Sequence, residues 1–423
     1  MKPQILPWCN PLDLANSFGE RPLVLLHSSA RASYSGKLSL LAVHMVESVD
    51  VENFDALSSL LVRDQPRFAN AWFGYFGYEM RHDCEHYTPA KAGRVPLPKG
   101  RLMRFADVYV FDHDAHTLTL WSENSKSLPT LRTLAELQPP NVSDLSSNMS
   151  RAEYENKAAN IIDEIHEGSL YQANLTRKFY GRWEAAPGGL ALFARLCRES
   201  PAPYSAYLCM PEAEILSSSP ELFLRVDANG TVITRPIKGS APRGKTPAED
   251  EAIRRALETS DKNRAENLMI TDLMRSDLAK SCVDGSVSVS GLFDVTAHAT
   301  IFHMASTISG TLTASIPELL RATFPPGSMT GAPKIRAVEL CNALEGVERG
   351  IYSGAIGWFG GDGSCELSVV IRTLIMQQEN FEFQVGGGIV ADSTPAGEWQ
   401  ETMDKSLGIL KTLGIARERL ESL

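Results

Sequence analysis

The sequence predicts an α+β fold built on antiparallel sheet. Strand-like runs come in clusters, helical patterns fall between them without strict βαβ alternation, and short turns join neighbouring strands. The 423 residues suffice for two or three domains, or for one large core with insertions.

Each element has its own signal. Residues 23–26 and 38–43 read as strands separated by a Ser/Gly turn. The run Trp72-Phe73-Gly74-Tyr75-Phe76-Gly77-Tyr78, aromatic and glycine-rich, suits tightly packed sheet. Residues 108–111 and 117–121 form a hairpin pattern around 112–116. The polar stretch from Gln138-Pro139-Pro140 to Asn148 marks a boundary between an N-terminal segment, 1–140, and a second, 150–415. Ser150 with Glu153 is a capping-box pattern, Ala158, Ile161, Ile162 and Ile165 continue it at helical spacing, and Gly168 ends it. Strands dominate from there to Val232-Ile233. A long helix covers about 261–280, with Leu268, Met269, Leu273 and Leu278 as its inward stripe. Another starts at Ala332-Pro333, with proline in the first turn, and runs to Leu344. Residues 350–359, 366–376 and 381–390 read as consecutive strands, and a last helix runs from near Pro395 to about Leu413.

Composition narrows the function classes. The net charge of -10 and the lack of any basic-aromatic stripe argue against nucleic-acid binding and leave a small molecule or a protein as partner. Seven cysteines without a CxxC pair fit reduced thiols in a cytoplasmic protein. The N-terminus lacks the apolar core of a signal peptide, and no stretch approaches the length of a membrane span.

The most informative stretch is Arg235-Pro236-Ile237-Lys238-Gly239-Ser240. The residue before proline is pushed to extended geometry, so Thr234 and Arg235 continue the strand begun at Thr231, and Gly239 permits a sharp exit. Lys238 therefore sits at a strand end, where a partly buried amine can lose its proton and become a nucleophile. Taken singly, such a lysine is usually a solvated charge. Glu398, Glu401 and Lys405 share one helix face at i, i+3, i+7, which fits either a surface charge ladder or a hard-cation site. Glu266 lies at the edge of the apolar stripe of the 261–280 helix. Gly327-Ser328-Met329-Thr330-Gly331-Ala332-Pro333-Lys334 runs into a helix N-terminus without the P-loop order, so a carboxylate is a more natural ligand there than a nucleotide phosphate. Gly386-Gly387-Gly388 allows close backbone approach to a ligand, or a bulge. Arg372 stands in an apolar strand, where a guanidinium wants a planar anion. His303 has an equally apolar setting, which more often means a satisfied core residue. Together these describe a site for a small acid.

Read in order, Ser219-Pro220-Glu221-Leu222-Phe223, residues 235–240, Ala265-Glu266 through Asp277-Leu278, Gly331-Ala332-Pro333-Lys334, Ile371-Arg372, the triple glycine and Glu398 through Lys405 are recognisable. From about residue 150 to 413 the chain resembles the chorismate-using enzymes: anthranilate synthase component I, aminodeoxychorismate synthase component I, isochorismate synthase and salicylate synthase. The first third matches more loosely, through Leu25-Leu26-His27-Ser28 and Gly74-Tyr75-Phe76-Gly77-Tyr78. The resemblance implies large antiparallel sheets forming a sandwich with helices outside. Anthranilate and isochorismate synthases typically carry alanine where Lys238 stands, and the water-adding members carry lysine where Gln172 stands. Both positions here point to the members that aminate chorismate at C4. Ser240 replaces the usual threonine and keeps the hydroxyl.

What the resemblance implies about the site follows residue by residue. Lys238 is the nucleophile and Glu221 the general acid. Mg²⁺ is held by Glu266 and Glu401, with Glu398 through water, and takes the ring carboxylate of chorismate. Arg372, Tyr352 and backbone near Gly386 hold the other carboxylate, His303 and Ser328 line the ring, and Lys405 completes the substrate-binding set. Ammonia is the second substrate. No Gly-x-Cys-x-Gly elbow is present, so a separate glutamine amidotransferase subunit is expected as heterodimer partner, and release of pyruvate is expected to need another enzyme. The segment 25–28 resembles the region where anthranilate synthases bind feedback tryptophan. The alternatives are anthranilate synthase component I and, more distantly, a non-catalytic regulator that binds chorismate or an amino acid.

Overall fold

The computed structural model describes residues 1–19, 22–31, 34–298 and 301–423. Its strands form two antiparallel sheets that share one long strand, Gly100–Asp112. The first sheet runs, neighbour to neighbour, through Lys2–Leu6, Thr117–Ser122, Gly100–Asp112, Leu38–Asp50, Leu23–His27, Tyr204–Cys209, Glu214–Ser219, Thr373–Gln377, Asn380–Ile389, Gln172–Trp183 and Val142–Ser147. The second leaves the shared strand at Trp72–Phe76 and continues through Ala355–Phe359, Cys365–Val369, Leu222–Val226 and Thr231–Arg235 to Ile301–Thr311. Ile237–Pro242 and Ser288–Ala297 also pair with that last strand.

Side-chain alternation turns these sheets into a sandwich. Val24, Leu40, Ala42, Val108, Leu208 and Ile375 of the first sheet pack against Phe73, Tyr75, Ile356 and Trp358 of the second, forming the inner core. The next residue along each strand faces the other way, as the period of two demands. Leu25, Leu41, Tyr109, Tyr207 and Leu374 thus meet the helices Pro11–Phe18, Arg151–His166, Gly189–Glu199 and Pro395–Leu413. On the far side Phe76, Leu224, Phe359 and Leu367 meet Asp261–Ala279 and Ile316–Thr323. The fold is the expected sandwich with helices outside.

Strands from both 1–140 and 150–415 enter each sheet, so residues 138–148 separate sequence segments that share their sheets and cores. The hairpin at 112–116 forms, with the Asp112 carboxylate accepting from the N–H groups of Asp114 and Ala115. The Ser/Gly turn before Leu38 includes residues 32 and 33, which lie outside the described residues. The Ser150–Glu153 capping box is present.

Five expectations change. A helix, Gly189–Glu199, interrupts the region read as strands, with Leu192, Phe193, Leu196 and Cys197 buried at helical spacing. Only Ala355–Phe359 of 350–359 is strand. The 366–376 run breaks into Cys365–Val369 and Thr373–Gln377, because Arg372 takes a left-handed φ of 51°. Pro333 is the N-cap of Lys334–Glu345 and precedes its first turn. The buried face of Asp261–Ala279 is Asn267, Ile270, Thr271, Met274, Asp277 and Leu278, while Leu268 is 51% exposed. Polar residues occupy that face because each finds a partner: Asn267 bonds to strand carbonyls, and Asp277 pairs with Lys334 at 2.6 Å. No helix among the described residues is long and apolar enough to cross a membrane, and Cys9, Cys84, Cys197, Cys282, Cys341 and Cys365 are free thiols.

A buried ionic network joins these layers. Arg349 donates to Glu345 at 2.7 and 2.9 Å, to the carbonyls of Asn174 and Met329 at 2.8 and 2.9 Å, and to Ser353 Oγ at 3.2 Å. Glu79, from the first third of the chain, accepts from the N–H groups of Arg349 and Gly350 and from Arg81. The Tyr78 ring lies between the two guanidiniums. Replacing Arg349 by methionine strands Glu345 as a buried unpaired charge. That is expected to lower the unfolding free energy by about 3–5 kcal/mol, seen as a lower urea midpoint with unchanged slope. An unchanged midpoint would show that the network does not hold the layers together.

Candidate active site

Lys238 is the second residue of the strand Ile237–Pro242, which begins anew after Pro236; it does not end the preceding strand as expected. Gly239, at φ 92°, lies where the pairing with Ile301–Thr311 shifts register, and this bulge aims the lysine inward. Asn267 supports the bulge from the neighbouring helix, its amide donating to the Lys238 carbonyl at 3.4 Å. The ammonium end reaches the triple glycine. A Cβ on Gly388 would stand 3.0 Å from Lys238 Nζ and 2.3 Å from Gln172 Nε2, so both side-chain ends lie at this glycine. Burial first, and Lys405 next, push the Lys238 pKa below its ordinary value, with Glu266, Glu221 and Glu401 opposing.

Glu221 faces this lysine from the turn between Glu214–Ser219 and Leu222–Val226. The Ile237 N–H donates to its carboxylate at 3.3 Å and the Ser328 hydroxyl also bonds to it. Burial dominates and raises its pKa, outweighing these bonds and Lys238. The site thus contains a lysine biased towards neutrality and a carboxyl biased towards protonation. Such a divergence marks a nucleophile and an acid.

Carboxylates from two helices gather beside them. Gly387 faces Glu398 and Glu401: a Cβ there would lie 2.8 Å from one carboxylate and 3.3 Å from the other. Lys405 pairs with Glu401 at 2.7 Å and donates to the Gly386 carbonyl at 2.9 Å. Burial, reinforced by Glu401, pushes Glu398 up to about 7. Burial raises Glu401 as well, but Lys405 and the other lysines outweigh it and leave its pKa low. Glu266, raised mainly by burial, feels Lys238, Lys262 and Glu401. Among the described residues no three His, Cys, Asp or Glu side chains close into a metal site. The three glutamates fit a weaker demand: Mg²⁺ draws one or two carboxylates from the protein and fills its shell with water and substrate oxygens. Glu398 keeps one buried oxygen, Oε2, without a partner.

A second group lies on the other side of Glu221. Arg372, half-buried in the break between two strands, is lowered to about 10 by burial, with Glu221 opposing. His303 is buried with neither ring nitrogen bonded, and burial, Arg372 and His298 keep it neutral. Its ring lies 5.2 Å from that of His298. Tyr352 is buried, and burial raises its phenol well above the ordinary value. Asn267, Asn174, His298 and Arg349 were not among the expected site residues. Asn267 directly follows Glu266, and Arg349 stands three residues before Tyr352, so proximity to expected residues was the available signal.

Residues 18–411 match the family described as chorismate binding enzyme. The chain is 38% identical over 362 residues to aminodeoxychorismate synthase component 1 of Escherichia coli strain K12, covering 82% of this chain and 77% of that one. It is 39% identical over 378 residues to the aminodeoxychorismate synthase of Streptomyces griseus, covering 83% of this chain and 52% of the relative, so it spans about half of that protein's length. Its backbone is similar to that of anthranilate synthase component I from Streptococcus pneumoniae TIGR4, with TM-score 0.78 at 26% identity over 88% of this chain and 92% of that one. A match across nearly the whole sequence, in a sandwich that brings Glu221, Lys238 and the glutamates together, places the chain in the chorismate-binding enzyme family.

Proposed function

We propose that the chain aminates chorismate at C4 to give 4-amino-4-deoxychorismate, with ammonia supplied by a glutamine amidotransferase subunit. The observation that carries this is Lys238: a half-buried amine, depressed in pKa, opposite the buried carboxyl of Glu221, raised in pKa. Gln172 at the same glycine supports it, because an amide cannot take a proton from water as a lysine would. The names of the Escherichia coli and Streptomyces relatives agree. Seven cysteines without a CxxC pair fit the cytoplasm.

The residues act in sequence. Neutral Lys238 Nζ forms a bond to ring C2 as both ring double bonds shift by one position and the C4–O bond breaks. Glu221 gives its proton to the departing hydroxyl, which leaves as water. Ammonia then bonds to C4, both ring double bonds return, the C2–Nζ bond breaks to restore the lysine, and the new C4 ammonium gives a proton back to Glu221. One ammonia enters and one water leaves overall. Glu266 and Glu401, with Glu398 behind them, are the residues that would hold Mg²⁺, which when bound supplies positive charge for the ring carboxylate. Arg372 and Tyr352 face the second carboxylate. His303, kept neutral, and Ser328 line the ring, and Lys405 holds Gly386 and Glu401 in place while depressing Lys238.

The product test is direct. The purified chain with chorismate, Mg²⁺ and an ammonium salt should form 4-amino-4-deoxychorismate by mass spectrometry, and a lyase for that compound should convert it to 4-aminobenzoate. Lys238→Ala should lower this product at least 100-fold, the scale of a lost nucleophile (roughly 10² or more). Anthranilate or isochorismate as the main wild-type product would refute the assignment. The pH profile of kcat/KM should be bell-shaped. Its two limbs report Lys238, which must be neutral, and Glu221, which must be protonated. Removing the Lys405 charge raises the Lys238 pKa, so Lys405→Met should move the limb that Lys238 governs to higher pH. A limb that stays put would mean that another group controls it.

A further inference from the structure

Behind the helix that carries Glu398 and Glu401 lies a polar set that the chemistry above does not use. Arg177 is fully buried in the strand Gln172–Trp183, on the face opposite Gln172 and Asn174. Among the described residues no carboxylate pairs with it. Its Nε donates to Thr402 Oγ1 at 3.1 Å, and Nη2 lies 2.8 Å from Met403 Sδ. The guanidinium carbon lies over the Trp399 ring at 3.6 Å and the Phe179 ring at 4.5 Å. Nη1 has no partner. A cation so placed is costly unless something nearby takes up its charge, and burial pulls its pKa down to about 9.

Tyr154 reaches the same place from the helix Arg151–His166. Its ring meets Trp399 edge-on at 5.8 Å, and its hydroxyl is buried without a partner. Burial raises the phenol well above its usual range, Glu398 and then Glu401 push the same way, and Arg177 opposes, so the phenol keeps its proton and lies in the field of both sides. Glu398 precedes Trp399 in the helix. Its Oε1 accepts from Ser393 at 2.6 Å, and its Oε2 is the orphan. The three unpartnered groups are chemically complementary: a guanidinium only donates, a phenol accepts and donates, a carboxylate only accepts.

We propose that Tyr154 is a positioning residue that links Arg177 to Glu398 through buried water, its oxygen receiving the Nη1–H interaction and its O–H reaching Glu398 Oε2, each through one bridging water. The link rests on the reading of Glu398 as part of a cation site. It fixes the carboxylate from behind and delivers an arginine's charge to it, while the aromatic wall of Trp399 keeps that charge away from the cation.

Tyr154→Phe keeps the ring and its packing and removes only the O–H. Mn²⁺ is the probe. Free Mn²⁺ is counted by electron paramagnetic resonance as the full chain is titrated at one neutral pH, with and without chorismate. The link predicts that Tyr154→Phe weakens Mn²⁺ binding about tenfold with an unchanged thermal midpoint. Arg177→Met should weaken it similarly, and the double variant should lose no more than the worse single one, because both remove one connection. Wild-type Mn²⁺ affinity in Tyr154→Phe, or additive losses in the double variant, would overturn the link alone. A wild-type chain that binds no Mn²⁺ under either condition would overturn the cation site and the link with it.

Discussion

The buried guanidinium of Arg349 is the group on which the arrangement of this protein depends. Three backbone segments that approach the site from different parts of the fold end on its hydrogen bonds, at Asn174, Met329 and Ser353. Each lies within two residues of a side chain in the site: Gln172, Ser328 and Tyr352. Glu79 ties the first third of the chain to the same point through its bonds to Arg349 and Gly350. A charge buried this deeply tolerates little displacement of its partners, because any lost bond leaves an unpaired group. The network thus converts strand pairing, which is regular, into a site geometry that is not.

The electrostatics of the site follow from that enclosure. Burial pushes Lys238, Glu221, Glu266 and Glu398 towards their uncharged forms, and it is the largest influence on each. The lysines at 238, 262 and 405 are set among the carboxylates so that the balance differs from group to group. Glu401, paired with Lys405, stays ionised, while Glu398 is held near neutrality. The same enclosure therefore supplies both the charged forms that hold a cation and the uncharged amine and carboxyl that the chemistry needs.

Much of this was legible in the sequence where a local rule decides the outcome. The capping box at Ser150, the aromatic-glycine strand at Trp72 and the hairpin at Asp112 depend on nearby residues only, and they form as read. The readings that failed involve long-range partners. Leu268 stays outside while Asn267 goes in, because strand carbonyls far along the chain await the amide. Arg372 breaks a strand whose apolar pattern is continuous, because it takes a left-handed φ that no apolar pattern signals. Lys238 was readable as a candidate from Pro236 and Gly239, but its meeting with Gln172 at Gly388 depends on sheet register, which spacing alone does not determine. Arg177 and Tyr154 gave no signal, since a buried arginine and a core tyrosine have no local pattern.

The central claim is that Lys238 Nζ bonds to the substrate ring, and trapping tests it most directly. The purified chain would be incubated with chorismate and Mg²⁺ without ammonia, quenched, and measured as intact protein and as peptides by mass spectrometry. The account predicts an added mass equal to chorismate less one water, located on Lys238, that disappears when ammonium is supplied before the quench. An unmodified Lys238 in a chain that still makes 4-amino-4-deoxychorismate, or an adduct on any other residue, would contradict it.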